Sequence, residues 1–339
     1  MVLNSKNWTL VYLRGLAQVG FSESPWAGLL VLGAIVVLAP WSAAGACVGG
    51  LVGLVAGRFQ KNLGGAQWEA GVSGFNPAIV GIFWGLTYAA GEAGLGILAL
   101  LLAVCVGVEY VMRPVFVRLQ LPLLSMPAMV TAYLAAGMFA LSDAVFWQHL
   151  PPMVPGNYGL ALAAAMIGAA IATQSLRAAA LTAFVVAMVL GAAELPGFSL
   201  IGAQGLWAFT VGPVVFGIYG VFLPNSNRGA LAALFGAGLA ALFWISWVST
   251  PLQSLAPPSL VPFILATWIT LTVFSRLSQR AGARSRAVDL GGGGVTGLSE
   301  GGAAGSAQYD RSGGQSLVIA PKFAAERGGP SDFERTVDR

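Results

Sequence analysis

The sequence predicts an all-α integral membrane protein with about ten transmembrane helices in two inverted repeats of five, and a pore at the repeat interface. Three observations predict this fold class. The first 275 residues contain few charges, basic residues occupy alternate loops between apolar runs, and short motifs recur about 135 residues apart. Together they indicate a chain that crosses a bilayer many times.

The composition predicts that most of the chain lies in a lipid bilayer. Of the 339 residues, 57% are apolar and 9% are charged, whereas soluble domains carry about 25% charge. Residues 1–275 contain eight Lys or Arg and six Asp or Glu, while residues 276–339 contain nine and seven. Thirteen glycines among the 58 residues from Gly282 onward predict a tail that cannot form a core. The predicted division is a first membrane repeat over 1–142, a second, inverted one over 143–275 and a disordered cytoplasmic tail over 276–339.

The apolar region divides into ten candidate helices where charges, prolines and glycine clusters interrupt it, with eight or twelve spans as alternatives. The first two are separated only by Pro40, Trp41 and Ser42, which predicts a very tight turn. The candidates cover residues 26–39, 42–57, 76–90, 94–112, 126–142, 159–174, 178–193, 208–224, 229–248 and 260–275.

The basic residues predict the orientation of these spans. Lys and Arg in short loops favour the cytoplasmic side. With ten spans and a cytoplasmic N-terminus, one set of loops carries every basic residue of the apolar region and the opposite set carries none. Both termini are therefore predicted to be cytoplasmic. The basic set is Arg58, Lys61, Arg113, Arg118, Arg177, Arg228 and Arg276 onward, and the opposite loops hold Glu92, Asp143 and Glu194.

An internal repeat predicts the inversion. Residues 121–135, LPLLSMPAMVTAYLA, align with residues 256–270, APPSLVPFILATWIT. The triplet at 74–76, GFN, aligns with AFT at 208–210. Five spans in each half place the second half upside down relative to the first, and such repeats commonly hold a solute at their interface. The preceding segment, residues 10–25, is predicted either to re-enter the membrane or to lie on its surface as an amphipathic helix.

The residue types favour a neutral pore over catalysis or ion coupling. Coupled transport normally uses ionisable groups inside the membrane, and Glu109 is predicted at the end of its helix, near Arg113. His149 lies in an outer loop without partners at ligand spacing, and Cys47 and Cys105 each stand alone. No enzyme, cofactor, metal or nucleic-acid partner is predicted. The remaining polar and aromatic groups suit a small, flat solute with N–H donors, although each also fits ordinary helix packing: Gln18, Phe21, Phe75, Asn76, Ser125, Thr131, Phe209, Thr210 and Thr267.

Three segments of the first half resemble the urea transporter family. Residues 16–32, LAQVGFSESPWAGLLVL, match a QVxF segment followed by NPxxG; residues 74–81, GFNPAIVG, match a GFN helix start; residues 121–128, LPLLSMPA, match an LPxxTxPF signature. The resemblance extends in order over roughly residues 10–275. It implies a homotrimer of passive urea channels, each protomer an inverted repeat of five spans plus a tilted half-helix, and so favours re-entry of residues 10–25.

The resemblance also implies a set of substrate-binding residues. Gln18, Val19 and Phe21 match the half-helix at the pore mouth, and Phe75 and Ile79 match positions that line the slot in the third helix. Ser125 matches the signature threonine, whose hydroxyl accepts urea N–H groups, and serine keeps this acceptor.

The second half departs from the family pattern. Leu260 stands where the signature threonine is expected, and Phe209 matches a slot phenylalanine but is followed by Thr210 and Pro213 in place of asparagine and an aliphatic residue. No clear QVxF segment precedes Gly159.

The predicted function is passive, channel-like transport of urea across the cell membrane by a multi-pass protein in contact with lipid. The alternatives are an ion-coupled secondary transporter and a neutral channel for another solute, such as a short amide, ammonia or water.

Overall fold

The structure, a computed structural model, describes residues 8–60, 65–87, 94–138, 158–193, 204–224, 226–250 and 260–291. The regular structure within these ranges is helical throughout. His149, Asp143 and the stretch 292–339 lie outside the described residues.

Seven helices precede residue 139, and the first of them continues into a 3-10 turn over Gln18–Gly20. They are α1 (Trp8–Ala17), α2 (Pro25–Leu38), α3 (Pro40–Phe59), α4 (Gly65–Glu69), α5 (Val72–Thr87), α6 (Gly94–Leu119) and α7 (Met126–Met138).

Five further helices follow in the later described ranges. They are α8 (Tyr158–Ala172), α9 (Leu176–Ala193), α10 (Gln204–Phe216), which continues as a π-helix over Gly217–Phe222, α11 (Asn227–Val248) and α12 (Val261–Gly291).

Each of the ten predicted segments overlaps a helix, and the described residues form an all-helical structure with apolar helices compatible with a membrane protein. Within the described residues, three helices are long and apolar enough to cross a bilayer singly: Pro40–Phe59, Gly94–Leu119 and Asn227–Trp247. Trp8–Gly20 and Pro25–Leu38 qualify together as a pair bent by 63°. In six other helices the apolar stretch is shorter, at 10–17 residues, so the count of ten spans and the inversion stay predictions.

Prolines set two of the helix starts. Pro25 and Pro40 each occupy the first turn of a helix, where the missing N–H has no helical partner to lose. A single residue, Ala39, joins α2 to α3 with φ −156° and ψ 89°. The very tight turn predicted between these helices is therefore present.

Helix α6 is longer than predicted and changes the position of one charge. The sequence predicts an end at residue 112, because Arg113 and Pro114 follow. The helix instead continues to Leu119, with Pro114 inside it. The prediction that Glu109 ends its helix is therefore wrong: this residue lies within α6, is 1% exposed and pairs with Arg113 one turn later. The pairing lets the helix pass through a charged position.

Small residues bring α3 and α5 into close contact. Gly45, Gly49 and Gly53 follow one another at intervals of four residues and face α5. A Cβ atom added to Gly49 would lie 2.0 Å from the carbonyl oxygen of Pro77, and one added to Gly45 would lie 2.1 Å from that of Gly81. Such spacing is typical of membrane helices whose backbones approach closely. It fixes α5, which carries Phe75 and Ile79.

The parts of the chain before and after residue 139 share one apolar cluster. Leu124 and Met129 are buried in it together with Phe263 and Ile264 of α12, and Phe21 packs against it. The indole Nε1 of Trp268 donates to the carbonyl of Pro122 over 2.9 Å. Both contacts join the region of the first signature motif to α12.

Candidate solute-binding site

The candidate site begins where α1 ends. The 3-10 turn over Gln18–Gly20 closes with Phe21 in the left-handed region at φ 54°, and the Phe21 N–H donates to the carbonyl of Gln18 over 2.9 Å. A bulky residue with positive φ is uncommon, and such strain clusters at functional sites. The chain bends by 63° between α1 with its 3-10 turn and α2, and Phe21 lies at the bend.

Gln18 is oriented by the loop before α5. Its side-chain Nε2 donates to the carbonyl oxygen of Ala70 over 3.1 Å. Because the amide nitrogen is fixed there, Oε1 is turned away and has no donor among the described residues. Val19 packs against the apolar cluster that contains Phe75 and Ile79. Gln18 and Val19 therefore lie where α1 meets α5.

Three phenylalanine rings meet the ring of Phe21. Its ring centroid lies 6.1 Å from that of Phe75, 6.4 Å from that of Phe216 and 5.7 Å from that of Phe263, with interplanar angles of 51°, 62° and 59°. These separations suit tilted and edge-to-face aromatic contacts. The structure thus brings together the predicted residues Phe21 and Phe75, with Ile79 buried one turn along α5 from Phe75.

Two rings of this group were not predicted. Phe209 lies in α10, but its side chain is outside the described residues. The ring that α10 brings to Phe21 is that of Phe216, seven positions later. Phe263 had a signal in the sequence, because it ends the APPSLVPF motif and corresponds to the phenylalanine of the family signature. Phe216 had none, since its position depends on how α10 packs.

Ser125 presents an unpaired oxygen. Its side chain is 1% exposed, and Oγ has no hydrogen-bond partner among the described residues. The residues on either side of it, Leu124 and Met126, pack in the apolar cluster that Phe21 joins. Leu124 has φ 50°, another positive value at a branched residue. A buried hydroxyl left unpaired costs about 1–3 kcal/mol, so Ser125 is suited to receive a donor from a ligand.

Leu260 occupies the corresponding place before α12. The Ser125 carbonyl accepts the amide of Met129 over 3.0 Å, and the Leu260 carbonyl accepts that of Ile264 over 3.0 Å. Each residue therefore opens a helix in the same way. Leu260 is half-buried and contributes only apolar surface.

A buried ion pair lies in α6, which packs against α5. Glu109 bonds Arg113 one helical turn later, and both side chains are buried. Asn76 Oδ1 accepts from the backbone N–H of Ala128 over 3.4 Å. Glu109 thus lies in the buried interior of α6 and not, as predicted, at its end, and the spacing of Glu109 and Arg113 by four residues was a partial signal of their pairing.

The described residues contain no group of three or more His, Cys, Asp or Glu that could hold a metal ion. Gln18 and Ser125 contribute an amide and a hydroxyl to the candidate site. They can exchange hydrogen bonds with a neutral solute.

Comparison with known proteins assigns the first part of the chain. Residues 9–155 match the family model of the urea transporters, described as "Urea transporter". Stretches of 70 residues are 37% identical to Urea transporter 1 of Ovis aries and of Capra hircus, and 82 residues are 35% identical to Urea transporter 1 of Rattus norvegicus. They cover 21% to 24% of this chain and 18% to 20% of the relatives. The chain thus spans about a fifth of the length of the curated relatives it matches.

The family match contains α1 to α7, and with them Gln18, Phe75 and Ser125. Phe209 and Leu260 lie beyond it. The resemblance seen in the motifs of the first half is confirmed, because residues 9–155 match the urea transporter family model.

Proposed function

We propose that this protein conducts urea passively across a membrane through a narrow, selective path in each protomer. One observation carries the proposal: the ring of Phe21 meets three other phenylalanines and packs against the cluster that contains Leu124 and Met126, the two neighbours of Ser125. The Ser125 hydroxyl is buried and has no partner among the described residues. Aromatic faces make an apolar slot for a flat molecule, and the hydroxyl and the Gln18 amide oxygen accept its N–H groups. The urea transporter domain over residues 9–155 supports urea as that molecule.

The energetics of dehydration explain why such a path needs both aromatic faces and hydrogen-bond acceptors. Urea that enters between the rings loses hydrogen bonds to water, and each unsatisfied N–H costs about 1–3 kcal/mol. Oxygens of Gln18 and Ser125, together with backbone carbonyls, offset that cost in sequence. An ion would lose far more hydration. The rings and neutral polar groups around Phe21 offer it no countercharge.

The proposal includes a placement and an assembly. The protein is a multi-pass transporter of the cell membrane rather than an enzyme, with both termini cytoplasmic, two inverted repeats and a homotrimeric state. The loop distribution of basic residues supports this orientation. Apolar side chains exposed on α6, including Leu95, Val111 and Val117, support contact with lipid or with other protomers.

Stopped-flow shrinkage of proteoliposomes in a urea gradient tests the proposal. We expect purified protein to raise urea permeability well above that of empty vesicles, without dependence on sodium or proton gradients. Equal permeability in the two preparations would reject urea conduction. Loss of flux when the gradients are dissipated would favour a coupled transporter, and stronger flux of acetamide, ammonia or water than of urea would favour another neutral solute.

A further inference from the structure

Two hydroxyls are buried in α12 without partners. Thr267 and Thr270 are both 0% exposed, and the Oγ1 atom of each has no hydrogen-bond partner among the described residues. Threonine in an apolar helix often donates to a carbonyl of its own preceding turn, as Thr272 does to Trp268 over 2.8 Å. Because a buried hydroxyl without a partner costs free energy, each of these two exceptions needs a reason.

The surroundings of Thr270 explain its hydroxyl by packing. A Cβ atom added to Gly236 of α11 would lie 3.0 Å from Thr270 Oγ1, and the other nearest atoms there belong to Ile218 and Val214. The hydroxyl thus fills space beside a glycine where α12 contacts α11. A group of the same size without an oxygen would serve equally well at this position.

Thr267 lies on a different side of α12. Successive residues of a helix are about 100° apart, so Thr267 is about 60° from Thr270 and about 40° from Phe263. Trp268 lies on the far side of Thr267, and its indole donates to a backbone carbonyl of the first half. Thr267 therefore projects between the direction of Phe263 and that of Trp268, toward the place where α12 meets the first half.

The position of Thr267 relates it to the residue that lacks an acceptor. Leu260 stands in the place of the signature threonine and offers no side-chain oxygen. Thr267 follows it by seven residues, which places it on nearly the same side of the helix and about 10 Å further along the axis. Phe263, whose ring meets Phe21, lies between the two.

The first half shows the reverse pattern. At the offset of 135 residues that relates Ser125 to Leu260, Ala132 corresponds to Thr267. The first half therefore has its hydroxyl at the helix start and a methyl group two turns later. In the second half the apolar residue is at the start and the hydroxyl is two turns later.

We propose that Thr267 is a further solute-binding residue: its buried hydroxyl accepts an N–H group of urea one turn beyond Phe263 and replaces the acceptor that Leu260 does not supply. This role rests on the proposed function, since it adds a residue to the same path. It explains why the Thr267 hydroxyl has no partner within the protein.

Three variants and a matched control test the acceptor. T267V removes the hydroxyl, T267S keeps it, and L260T/T267V moves it to the place of the signature threonine. T270V is the control, because it makes the same change at a hydroxyl of the same helix that is equally buried and equally unpaired.

Stopped-flow shrinkage of proteoliposomes with equal protein content measures urea permeability. We expect a loss of about tenfold in T267V, the factor that corresponds to one lost hydrogen bond of ordinary strength. T270V should stay within about twofold of the wild type, and T267S and L260T/T267V should recover most of the loss. Equal losses in T267V and T270V would overturn the proposal, and so would a failure of both T267S and L260T/T267V to recover permeability.

Thermal unfolding in detergent separates binding from packing. Valine in place of an unpaired buried hydroxyl should leave the melting temperature unchanged or raised in both T267V and T270V. A clear fall in T267V alone would show that the hydroxyl has a partner within the protein and would overturn the proposal. If the wild type conducts no urea, the proposed function fails. If the wild type conducts urea and T267V conducts it equally well, only the assignment of Thr267 fails.

Discussion

Ser125 and Leu260 are alike in backbone and different in chemistry. Each carbonyl accepts the first bond of the following helix, but only Ser125 carries a side-chain oxygen. A solute that passes both positions would meet one acceptor where two are available in the family pattern. The asymmetry makes these two residues the most direct place to test the proposed path.

Ser125→Ala should lower urea permeability about tenfold. The variant loses one hydrogen bond to the solute, and an increase of about 1.4 kcal/mol in the permeation barrier corresponds to that factor. Ser125→Thr should preserve permeability. Thr272→Val is the control, since the Thr272 hydroxyl donates to the carbonyl of Trp268 in its own helix over 2.8 Å. Stopped-flow light scattering measures all three, and full permeability in Ser125→Ala would contradict the role of the hydroxyl.

Leu260→Thr should raise urea permeability severalfold. The change supplies an acceptor at the start of α12 and removes little apolar volume, so its cost in stability should stay within about 1–2 kcal/mol. Urea permeability of vesicles with equal protein content measures the effect. A decrease, with the melting temperature unchanged, would show that Leu260 acts as a packing residue and not as a missing acceptor.

The structure and the sequence alignment point to different slot residues in α10: the structure to Phe216 and the alignment to Phe209. Phe216→Leu should reduce the selectivity for urea over N-methylurea, because its ring packs edge-to-face against Phe21 with centroids 6.4 Å apart. Phe209→Leu should change it less. If Phe209→Leu has the larger effect in the same vesicle experiment, the sequence alignment identifies the slot residue and the contact of Phe216 is only packing.

Among the elements, α5 depends most on its neighbour. Its backbone lies against Gly45, Gly49 and Gly53 of α3 so closely that none of the three has room for a Cβ atom. Because α5 also carries Phe75 and Asn76, the small residues of α3 act on the candidate site at a distance. They hold α5 in the position from which the ring of Phe75 reaches Phe21.

Gly49→Ala should destabilise the protein by about 1–3 kcal/mol, the usual cost of overpacking. The added methyl group would lie 2.0 Å from the backbone oxygen of Pro77, so the helices must separate. Gly107→Ala in α6 is the control, because nothing lies within 4 Å of its Cβ position among the described residues. Thermal unfolding in detergent compares the two, and equal melting temperatures would contradict the close packing.

Sequence patterns predicted the elements better than their contacts. Apolar runs and prolines located ten helices, since helix formation in lipid follows from local hydropathy and backbone satisfaction. The ends of α6 and α12 were missed, because these helices continue past the predicted ends to Leu119 and Gly291. The motifs identified Gln18, Phe21 and Ser125 because each lies in a contiguous signature. Phe216 escaped because its approach to Phe21 depends on the packing of distant helices. The burial of Glu109 escaped because its spacing to Arg113 also fits a solvated helix face.

At the scale of the whole molecule, α12 connects the two parts of the chain. Phe263 reaches Phe21, and Trp268 donates to the carbonyl of Pro122 across 146 positions of sequence. The candidate path therefore lies where α12 meets the first half. The width of this path depends on the contacts that join α12 to the first half of the chain.

Trp268→Phe should lower the melting temperature, because it removes a hydrogen bond worth about 1 kcal/mol and leaves the Pro122 carbonyl unpaired. Trp244→Phe is the matched control: its Nε1 is buried without a partner among the described residues, so its loss should be neutral or stabilising. A larger destabilisation by Trp244→Phe would contradict this assignment of the two indoles.

The left-handed backbone at Phe21 has a stereochemical consequence. Glycine at this position would relieve a strain of about 1–3 kcal/mol but would remove the ring. A mirror-image phenylalanine would find φ 54° comfortable but would project its ring from the opposite side of the Cα atom. An L-aromatic residue in this strained backbone conformation directs its ring toward Phe75, Phe216 and Phe263. The chirality of one Cα atom therefore determines where the four rings meet.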